Sequence, residues 1–270
     1  MVDCPERFYR YRSLRDGKAA LVERTVHLGE IYFPKPSSFN DPFDCRPSFS
    51  FDATKEEMTA YYRRLVKKFM PGLNRAQRRV ETRNKLGDWE RSPRNPETLR
   101  RVTELHTKQI TENIGVLCLS EVPDDILMWS HYADSHRGVC LEFDGYFEFF
   151  AAALRVEYPP TRPRINPFRQ NPTEMMEAAL LTKAEHWNYE REWRIIQYKS
   201  GLGIKHCLPE SITGIILGAQ ISDRDAEMVI GWARNRVHPL RVLKASANET
   251  TFALNMQEVP IAKTRTLPGK

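Results

Sequence analysis

Two kinds of local pattern alternate along the chain, and this alternation most constrains its fold. Short β-branched or aromatic runs are typical of strands, and charged stretches with apolar residues at helical spacing are typical of amphipathic helices. The predicted strands are residues 31–33, 116–119, 139–143, 155–158, 193–198, 212–217 and 252–259. The predicted helices are residues 14–24, 55–69, 75–86, 96–112, 124–134, 173–186 and 222–236. We therefore expect an α+β fold, with helices packed on a twisted or split mixed sheet.

Residues 54–112 form a mainly helical and basic segment between strand-bearing parts of the chain. Between Lys55 and Lys108 there are 15 Lys and Arg against 7 Asp and Glu. This local excess of positive charge is larger than the net charge of the whole chain, which is +6. Such an excess permits phosphate neutralisation and hence binding of DNA or RNA. A solvated helical surface explains it equally well. We expect one domain over residues 1–270, with 54–112 inserted into it and a loose tail over 264–270.

The composition favours a cytoplasmic protein that does not enter a membrane. The five cysteines are odd in number and contain no Cys-x-x-Cys pair, so they predict neither a disulfide framework nor a zinc ribbon. Residues 1–17 are charged and lack the apolar core of a signal peptide. No apolar run approaches the ~20 residues that a membrane-spanning helix needs.

The first of three polar and aromatic blocks comprises residues 8–13 and 31–44. Prolines at positions 34, 36 and 42 prevent a helix there. Asn40 and Asp41 are able to hydrogen-bond the nearby backbone and form a fixed polar turn. Such a turn either holds a ligand or simply ends a strand, and the sequence leaves both interpretations open.

The second block spans residues 118–139. An apolar strand ends at Ser120 and a helix begins near Asp124, so we expect Ser120 and the free N–H groups of that helix at one edge of the sheet. His131 and His136 are five residues apart, a spacing that does not place them on one helix face. No cysteine nearby completes a ligand set, and we therefore predict no metal site in this block.

The third block spans residues 183–196 and contains Tyr-Glu-Arg-Glu-Trp-Arg. On a strand, Glu190, Glu192 and Arg194 share one face. If that face lines a cleft, a carboxylate there is able to bind a sugar hydroxyl or stabilise positive charge in a transition state. If it faces solvent, the three residues are an ion ladder of little energetic value.

Together these motifs resemble an uncharacterised bacterial family, the domain of unknown function 2971. The resemblance rests on Tyr-Arg-Tyr-Arg-Ser, on Phe-Asn-Asp-Pro-Phe-Asp, on Met-Trp-Ser-His-Tyr-Ala-Asp-x-His-x-Gly-Val-Cys-Leu-Glu-Phe, and on Trp-x-Tyr-Glu-x-Glu-Trp-Arg. The motifs occur in the family's order between about Phe8 and Leu217, and the helical insertion is the variable part.

A more distant resemblance is to the ADP-ribosyltransferase superfamily, especially its DNA-modifying toxins. Those proteins carry Arg or His in a first strand, Ser, Tyr or Phe in a middle strand, and a catalytic Glu, often within Glu-x-Glu, in a late strand. Arg10, Ser120 and Glu192 occur here in that order. The resemblance implies that Glu192 is catalytic and that NAD, as substrate, is held by Arg10 or else by Arg12. The other residues expected at the NAD site are Tyr11, Tyr32, Asn40, Asp41, Ser120, His131, Tyr132 and Glu190, with Tyr32 or Tyr132 stacked on the nicotinamide.

Three functions fit these features. The first is transfer of ADP-ribose to a macromolecule such as nucleic acid, in a toxin or phage-defence role and with an antitoxin or other partner protein. In that chemistry a carboxylate bound to the ribose 2′-hydroxyl stabilises an oxocarbenium ion. The second is metal-dependent hydrolysis, including nuclease activity, with Asp41, Asp44, Glu121 and Glu190 as oxygen ligands. The third is a non-enzymatic sensor module that binds nucleic acid through the insertion.

Overall fold

The computed structural model describes residues 4–91, 96–198 and 201–261. The strands are β1 (Arg7–Arg12), β2 (Glu30–Phe33), β3 (Ser48–Phe49), β4 (Gly115–Ser120), β5 (Val139–Asp144), β6 (Leu154–Arg155), β7 (Arg164–Ile165), β8 (Glu192–Gln197), β9 (Gly203–His206), β10 (Ile212–Leu217), β11 (Arg241–Ala247) and β12 (Leu254–Glu258). The α-helices are α1 (Lys18–Leu28), α2 (Lys55–Phe69), α3 (Arg75–Arg91), α4 (Pro96–Glu112), α5 (Ile126–Tyr132), α6 (Glu148–Ala151), α7 (Pro172–Leu180) and α8 (Asp223–Arg234). No helix in these described ranges is both long and apolar enough to cross a membrane.

The chain forms two compact units. The first consists of Met1–Pro34, Gly115–Val156 and His186–Lys270, and the second of Lys35–Ile114 and Glu157–Glu185. The second unit therefore contains the predicted insertion together with residues 35–53, 113–114 and 157–185. The expectation of one domain stays a prediction, and the predicted loose tail lies outside the described residues.

The first unit is built on an eight-stranded mixed sheet. Its strand order is β12-β11-β10-β5-β1-β4-β8-β6. Strands β10 and β11 are parallel, and the helix α8 lies between them in the chain, as a parallel pair requires. The other neighbouring strands are antiparallel. The predicted α+β class and mixed sheet are thus confirmed.

Both faces of this sheet are buried. One face carries the larger apolar cluster, which includes Phe8 on β1 and residues of α1 and α8. The opposite face carries a smaller cluster, in which Tyr9 and Tyr11 of β1 pack with Trp129 of α5. Because successive residues of a strand alternate between faces, β1 contributes to both clusters. Polar side chains near the middle of the sheet, such as Glu142, are consequently buried.

Local capping explains where the predicted helices begin. Helix α2 starts after Thr54, whose hydroxyl accepts from the Glu57 backbone N–H at 3.2 Å while the Glu57 carboxylate accepts from the Thr54 N–H at 2.8 Å. Ser222 similarly accepts from the Asp225 N–H at 3.1 Å at the start of α8. Helix α1 begins at Lys18 rather than at residue 14, because Asp16 and Gly17 have φ values of 56° and 76°.

The second unit contains α2, α3, α4, α7 and a short parallel pair formed by β3 and β7. Its described core includes a ring cluster around Phe168, with centroids 5.0 Å from Tyr61 and 5.3 Å from Trp89. Such edge-to-face ring contacts stabilise small cores. The predicted helical character of this segment is confirmed by α2, α3 and α4.

Candidate functional site

A row of residues on one face crosses six neighbouring strands of the large sheet. Arg241 lies opposite Gly214, Gly214 opposite Glu142, and Glu142 opposite Tyr9. Tyr9 in turn lies opposite Ser120, and Ser120 opposite Glu192. Residues directly opposite one another on paired strands project to the same face. We call this set the cross-sheet row; from β11 to β8 its members are Arg241, Gly214, Glu142, Tyr9, Ser120 and Glu192.

At the β8 end of the row, Glu192 forms a bidentate ion pair with Arg194. The Glu192 Oε1 accepts from Arg194 Nε at 2.7 Å, and Oε2 accepts from Arg194 Nη2 at 2.9 Å. The two residues are only 3% and 0% exposed. The alternative of an ion ladder on a solvent face is therefore wrong. Burial of a charged pair carries a large desolvation cost, so the Glu192–Arg194 pair is energetically different from a hydrated surface ion pair.

Glu190 lies beside this pair, just before β8 begins. The backbone turns at Arg191, whose φ is 44°. The Tyr132 hydroxyl donates to Glu190 Oε1 at 2.8 Å, and the Ser120 hydroxyl donates to the Glu190 carbonyl oxygen at 2.7 Å. Helix α5 thus holds the buried Glu190 carboxylate, and strand β4 holds the Glu190 backbone two residues before Glu192.

Near the middle of the row, Glu142 is a hub for four side chains. Its carboxylate accepts from Arg241 at 2.8 Å, Thr213 at 2.9 Å, Tyr9 at 3.3 Å and Arg7 at 3.4 Å. Glu142 is 2% exposed, and two guanidinium groups compensate its charge. This arrangement satisfies a buried carboxylate internally.

Gly214 and Tyr9 are the neighbours of Glu142 along the row. A Cβ at Gly214 would lie 3.0 Å from Glu142 Oε1, so the missing side chain leaves the carboxylate room to reach Arg241. Burial, followed by the charge of Glu142, raises the pKa of Tyr9 to about 12. The Tyr9 hydroxyl therefore keeps its proton at neutral pH.

Arg10 does not share a face with Ser120 and Glu192. It lies opposite Leu141 of the larger apolar cluster, whereas Tyr9 lies opposite Ser120. Burial, with a contribution from Arg12, lowers the pKa of Arg10 to about 9. This corrects the expected grouping of Arg10, Ser120 and Glu192 around one cleft. The physical reason is strand alternation, which also places Arg12 on the side of Arg10.

Tyr11 is on the same face as Tyr9, but it packs into the smaller cluster. Its hydroxyl donates to the Val122 carbonyl oxygen at 2.7 Å, and its ring meets Trp129 edge-on at a centroid distance of 5.2 Å. Burial raises the Tyr11 pKa strongly. Trp129 is fully buried and belongs to the same cluster.

The other aromatic residues predicted at the site are more open. His131 is exposed, and its ring contacts Tyr132 and Trp187 at centroid distances of 6.3 and 6.1 Å. Tyr32 is 51% exposed and lies on β2, which pairs with β9 rather than with the large sheet. The backbone oxygen of Tyr32 accepts from Arg10 Nη2 at 3.2 Å.

Asn40 and Asp41 belong to the second unit. The Asp41 Oδ1 accepts from the Phe43 N–H at 2.8 Å, which forms the predicted polar turn, and Asp41 is buried while Asn40 is exposed. Over the described residues, no group of three or more His, Cys, Asp or Glu side chains is arranged to hold a metal ion. Glu121, one of the expected ligands, accepts from Trp193 Nε1 at 2.6 Å.

Among the residues around Glu142 and Glu192 that sequence reasoning missed are Glu142, Arg194 and Tyr9. Glu142 is the lone charge in the apolar run Val139–Phe143, and a charge in a buried strand is a signal that would have found it. Arg194 was placed on the right face but given no role. Tyr9 was not predicted because the face on which Tyr9 or Arg10 lies depends on the register of strand pairing, which the sequence does not reveal.

Residues 128–195 match the model of a family described as "Protein of unknown function (DUF2971)". No curated protein and no solved structure matches the chain. The matched segment contains all of β5 and most of α5 and β8, which supply Glu142, Tyr132 and Glu192. Over this segment, the predicted resemblance of the chain to the domain of unknown function 2971 is confirmed.

Proposed function

We propose that this chain is an ADP-ribosyltransferase-like enzyme that uses NAD as its substrate and modifies a macromolecule. The observation that carries the proposal is the alignment of Tyr9, Ser120 and Glu192 on the adjacent strands β1, β4 and β8. That superfamily is expected to carry Arg or His beside aromatic residues in its first strand, Ser, Tyr or Phe in a middle strand and a catalytic Glu in a late strand. Here Tyr9 takes the first-strand position that was expected of Arg10.

The proposed reaction breaks the bond between the nicotinamide nitrogen and ribose C1′. The electron pair leaves with nicotinamide, and C1′ becomes an oxocarbenium ion. Glu192 accepts a hydrogen bond from the ribose 2′-hydroxyl and stabilises this positive charge. Arg194 is a positioning residue in this scheme.

The second carboxylate acts on the acceptor. A nucleophilic oxygen or nitrogen of the macromolecule attacks C1′, forms the new glycosidic bond and loses a proton, which Glu190 takes as general base. Tyr132 orients Glu190 through the 2.8 Å hydrogen bond. Ser120 lies opposite Glu192 in the sheet and donates to the Glu190 carbonyl oxygen at 2.7 Å, which ties the Glu190 backbone to β4.

The proposal is tested by following nicotinamide release from NAD labelled in its nicotinamide ring. A cell extract supplies protein and nucleic acid acceptors. We expect Glu192→Gln to lower release by about 100-fold or more, because it removes transition-state charge stabilisation while retaining shape. Nuclease or protease treatment of product made with NAD labelled in its phosphates then identifies the acceptor class.

Glu142→Gln is the matched control. Glu142 is an equally buried carboxylate of the same row that also binds guanidinium groups, but it takes no part in the proposed chemistry. Release per folded molecule, with folding measured by circular dichroism, is expected to match that of the unmodified protein. Normal turnover by folded Glu192→Gln, or no release by the unmodified protein, contradicts the proposal.

A further inference from the structure

Helices α2 and α3 of the second unit border a groove of about 840 Å³ with mainly cationic walls. We call it the basic groove. Helix α2 contributes Lys55, Arg63 and Lys67. Helix α3 contributes Arg75, Arg79 and Arg83. Six cationic side chains thus converge on one surface feature.

The spacing of these residues explains the convergence. Positions 55, 63 and 67 are separated by multiples of four, as are positions 75, 79 and 83. Residues four apart lie on one helix face, so each helix presents a longitudinal basic stripe. The intervening lining positions, Thr59 on α2 and Gly87 on α3, are small. The stripes therefore border the groove without a bulky residue at either of these positions.

The charge in the basic groove is largely uncompensated. Lys55 forms an ion pair with Glu90 at 3.1 Å. For the other five cations, no carboxylate of the described residues lies within ion-pair distance. Helix α4 of the same unit shows the opposite pattern, since Arg100 pairs with both Glu97 and Glu104 at 2.7 Å. An ordinary solvated helix resembles α4, whereas the basic groove lacks its counter-charges.

Arg78 adds a further unsatisfied donor at the basic groove. Its Nε is buried and has no hydrogen-bond partner among the described residues, while its Nη2 donates to the Pro71 carbonyl oxygen at 2.7 Å. A buried guanidinium nitrogen without an acceptor is uncommon in a folded protein. An anion in the groove provides the kind of acceptor that this nitrogen lacks.

We propose that the basic groove binds the phosphate backbone of double-stranded nucleic acid. Charges repeated about every 6 Å along a helix match a repeating polyanion better than a single carboxylate. Guanidinium groups also fit phosphate oxygens in bidentate geometry. None of the described lining residues is aromatic, so the groove has no platform on which unpaired bases stack. Recognition is therefore independent of sequence, and it does not rest on the proposed transferase activity.

The test is fluorescence anisotropy with a labelled 20-base-pair DNA duplex and the matching RNA duplex over a range of NaCl concentrations. If five cations each neutralise one phosphate, the plot of log K against log salt has a slope of about −4.5. The triple variant Arg75→Ala, Arg79→Ala, Arg83→Ala is expected to make that slope less steep by about 2.7 and to weaken binding at least about tenfold. The corresponding triple Lys variant keeps the charge and is expected to retain most of the binding.

The matched control is Arg100→Ala, Arg101→Ala, Lys108→Ala, which removes the same charge from α4 and is expected to bind nearly as the unmodified protein does. Equal weakening by both triple Ala variants would reduce the effect to net charge and overturn the proposal. Tighter binding of polyglutamate than of the duplex would assign the groove to an acidic protein instead. Displacement of the duplex by equimolar sodium triphosphate would assign it to a small anion. Nicotinamide release is measured separately, so either proposal can fail alone.

Discussion

The cross-sheet row and the basic groove treat charge in opposite ways. In the row, Glu192 and Glu142 are almost completely buried, and each binds an Arg side chain at 2.7 to 2.9 Å. In the groove, cations such as Arg79 are exposed and have no counter-charge within the described residues. An unpaired buried ion costs several kcal/mol, whereas exposed charges interact weakly and are screened by salt. The charges of the cross-sheet row are therefore paired within the protein, whereas those of the basic groove are available to a binding partner.

The two regions also differ in geometric precision. Strand pairing sets the row, so Tyr9, Ser120 and Glu192 have positions determined by the sheet register. Long Arg and Lys side chains line the groove, and they retain many rotamers. A fixed constellation suits one small substrate held at one reacting bond. A flexible basic surface suits a long polyanion bound through many equivalent contacts.

The largest expected effect is the loss of one partner from the buried pair. Arg194→Met leaves the Glu192 carboxylate without its bidentate partner and is expected to lower the free energy of unfolding by about 3–5 kcal/mol. Urea unfolding followed by circular dichroism measures this change. The groove variant Arg79→Met, which breaks no ion pair, is expected to change the free energy of unfolding by no more than about 1 kcal/mol.

The combination Arg194→Met, Glu192→Leu sharpens this comparison. Buried ion pairs are often replaced by apolar residues at little cost, so the double variant is expected to regain much of the lost stability. The same double variant is inactive under the transferase proposal. If Arg194→Met and Arg79→Met destabilised the protein equally, charges in the cross-sheet row and in the basic groove would not differ in their contribution to stability.

Alkaline pH is a second way to weaken the row. Burial raises the Tyr9 pKa from its ordinary value near 10 to about 12, so the folded protein holds this proton more tightly than the unfolded chain does. The resulting stability is complete below pH 10 and is lost as the pH rises from 10 to about 12. The full shift corresponds to at most about 2.7 kcal/mol, which solvent screening reduces to roughly 1–2 kcal/mol.

Urea midpoints of the unmodified protein and Tyr9→Phe, compared at pH 9 and pH 11, measure the contribution of Tyr9. The Phe variant is expected to lose less stability over this interval, because it has no phenol to ionise. Tyr11, whose pKa burial also raises, remains in both proteins and contributes equally. If the two proteins lost the same stability between pH 9 and pH 11, the folded protein would not bind the Tyr9 proton more tightly than the unfolded chain does.

Elements with strong local signals were predictable from the sequence. Helices α2 and α4 and strand β10 have the predicted bounds, because capping residues and uninterrupted patterns define them locally. Strands β9 and β11 were missed because each interrupts its apolar residues with charged or small ones and shows no long β-branched or aromatic run. Their pairing with other strands, rather than their own propensity, makes them strands.

The site was predictable only in part. The sequence places Ser120 and Glu192 in the motif order of the resemblance, but their direct pairing follows from strand order within the sheet. A register shift of one residue moves every side chain of a strand to the other face. The register therefore determines whether Arg10 or Tyr9 lies on the same face as Ser120 and Glu192. Glu142 joins the row through strand pairing with β1, which no local pattern reports.

The smallest expected effect comes from the groove and has the opposite sign. Arg79 lies four residues from both Arg75 and Arg83, so Arg79→Gln removes two like-charge repulsions. We expect it to raise the free energy of unfolding by about 0.4–1 kcal/mol in dilute buffer, and this gain to vanish near 1 M salt. On α4, Arg100→Gln instead removes attractions to Glu97 and Glu104 and is expected to lower stability. We expect the urea midpoint to rise for Arg79→Gln and to fall for Arg100→Gln, and duplex binding to weaken only for Arg79→Gln. That result would mean that the repelling charges of the basic groove lower stability and are needed for anion binding. A loss of stability in both variants would make Arg79 a structural residue.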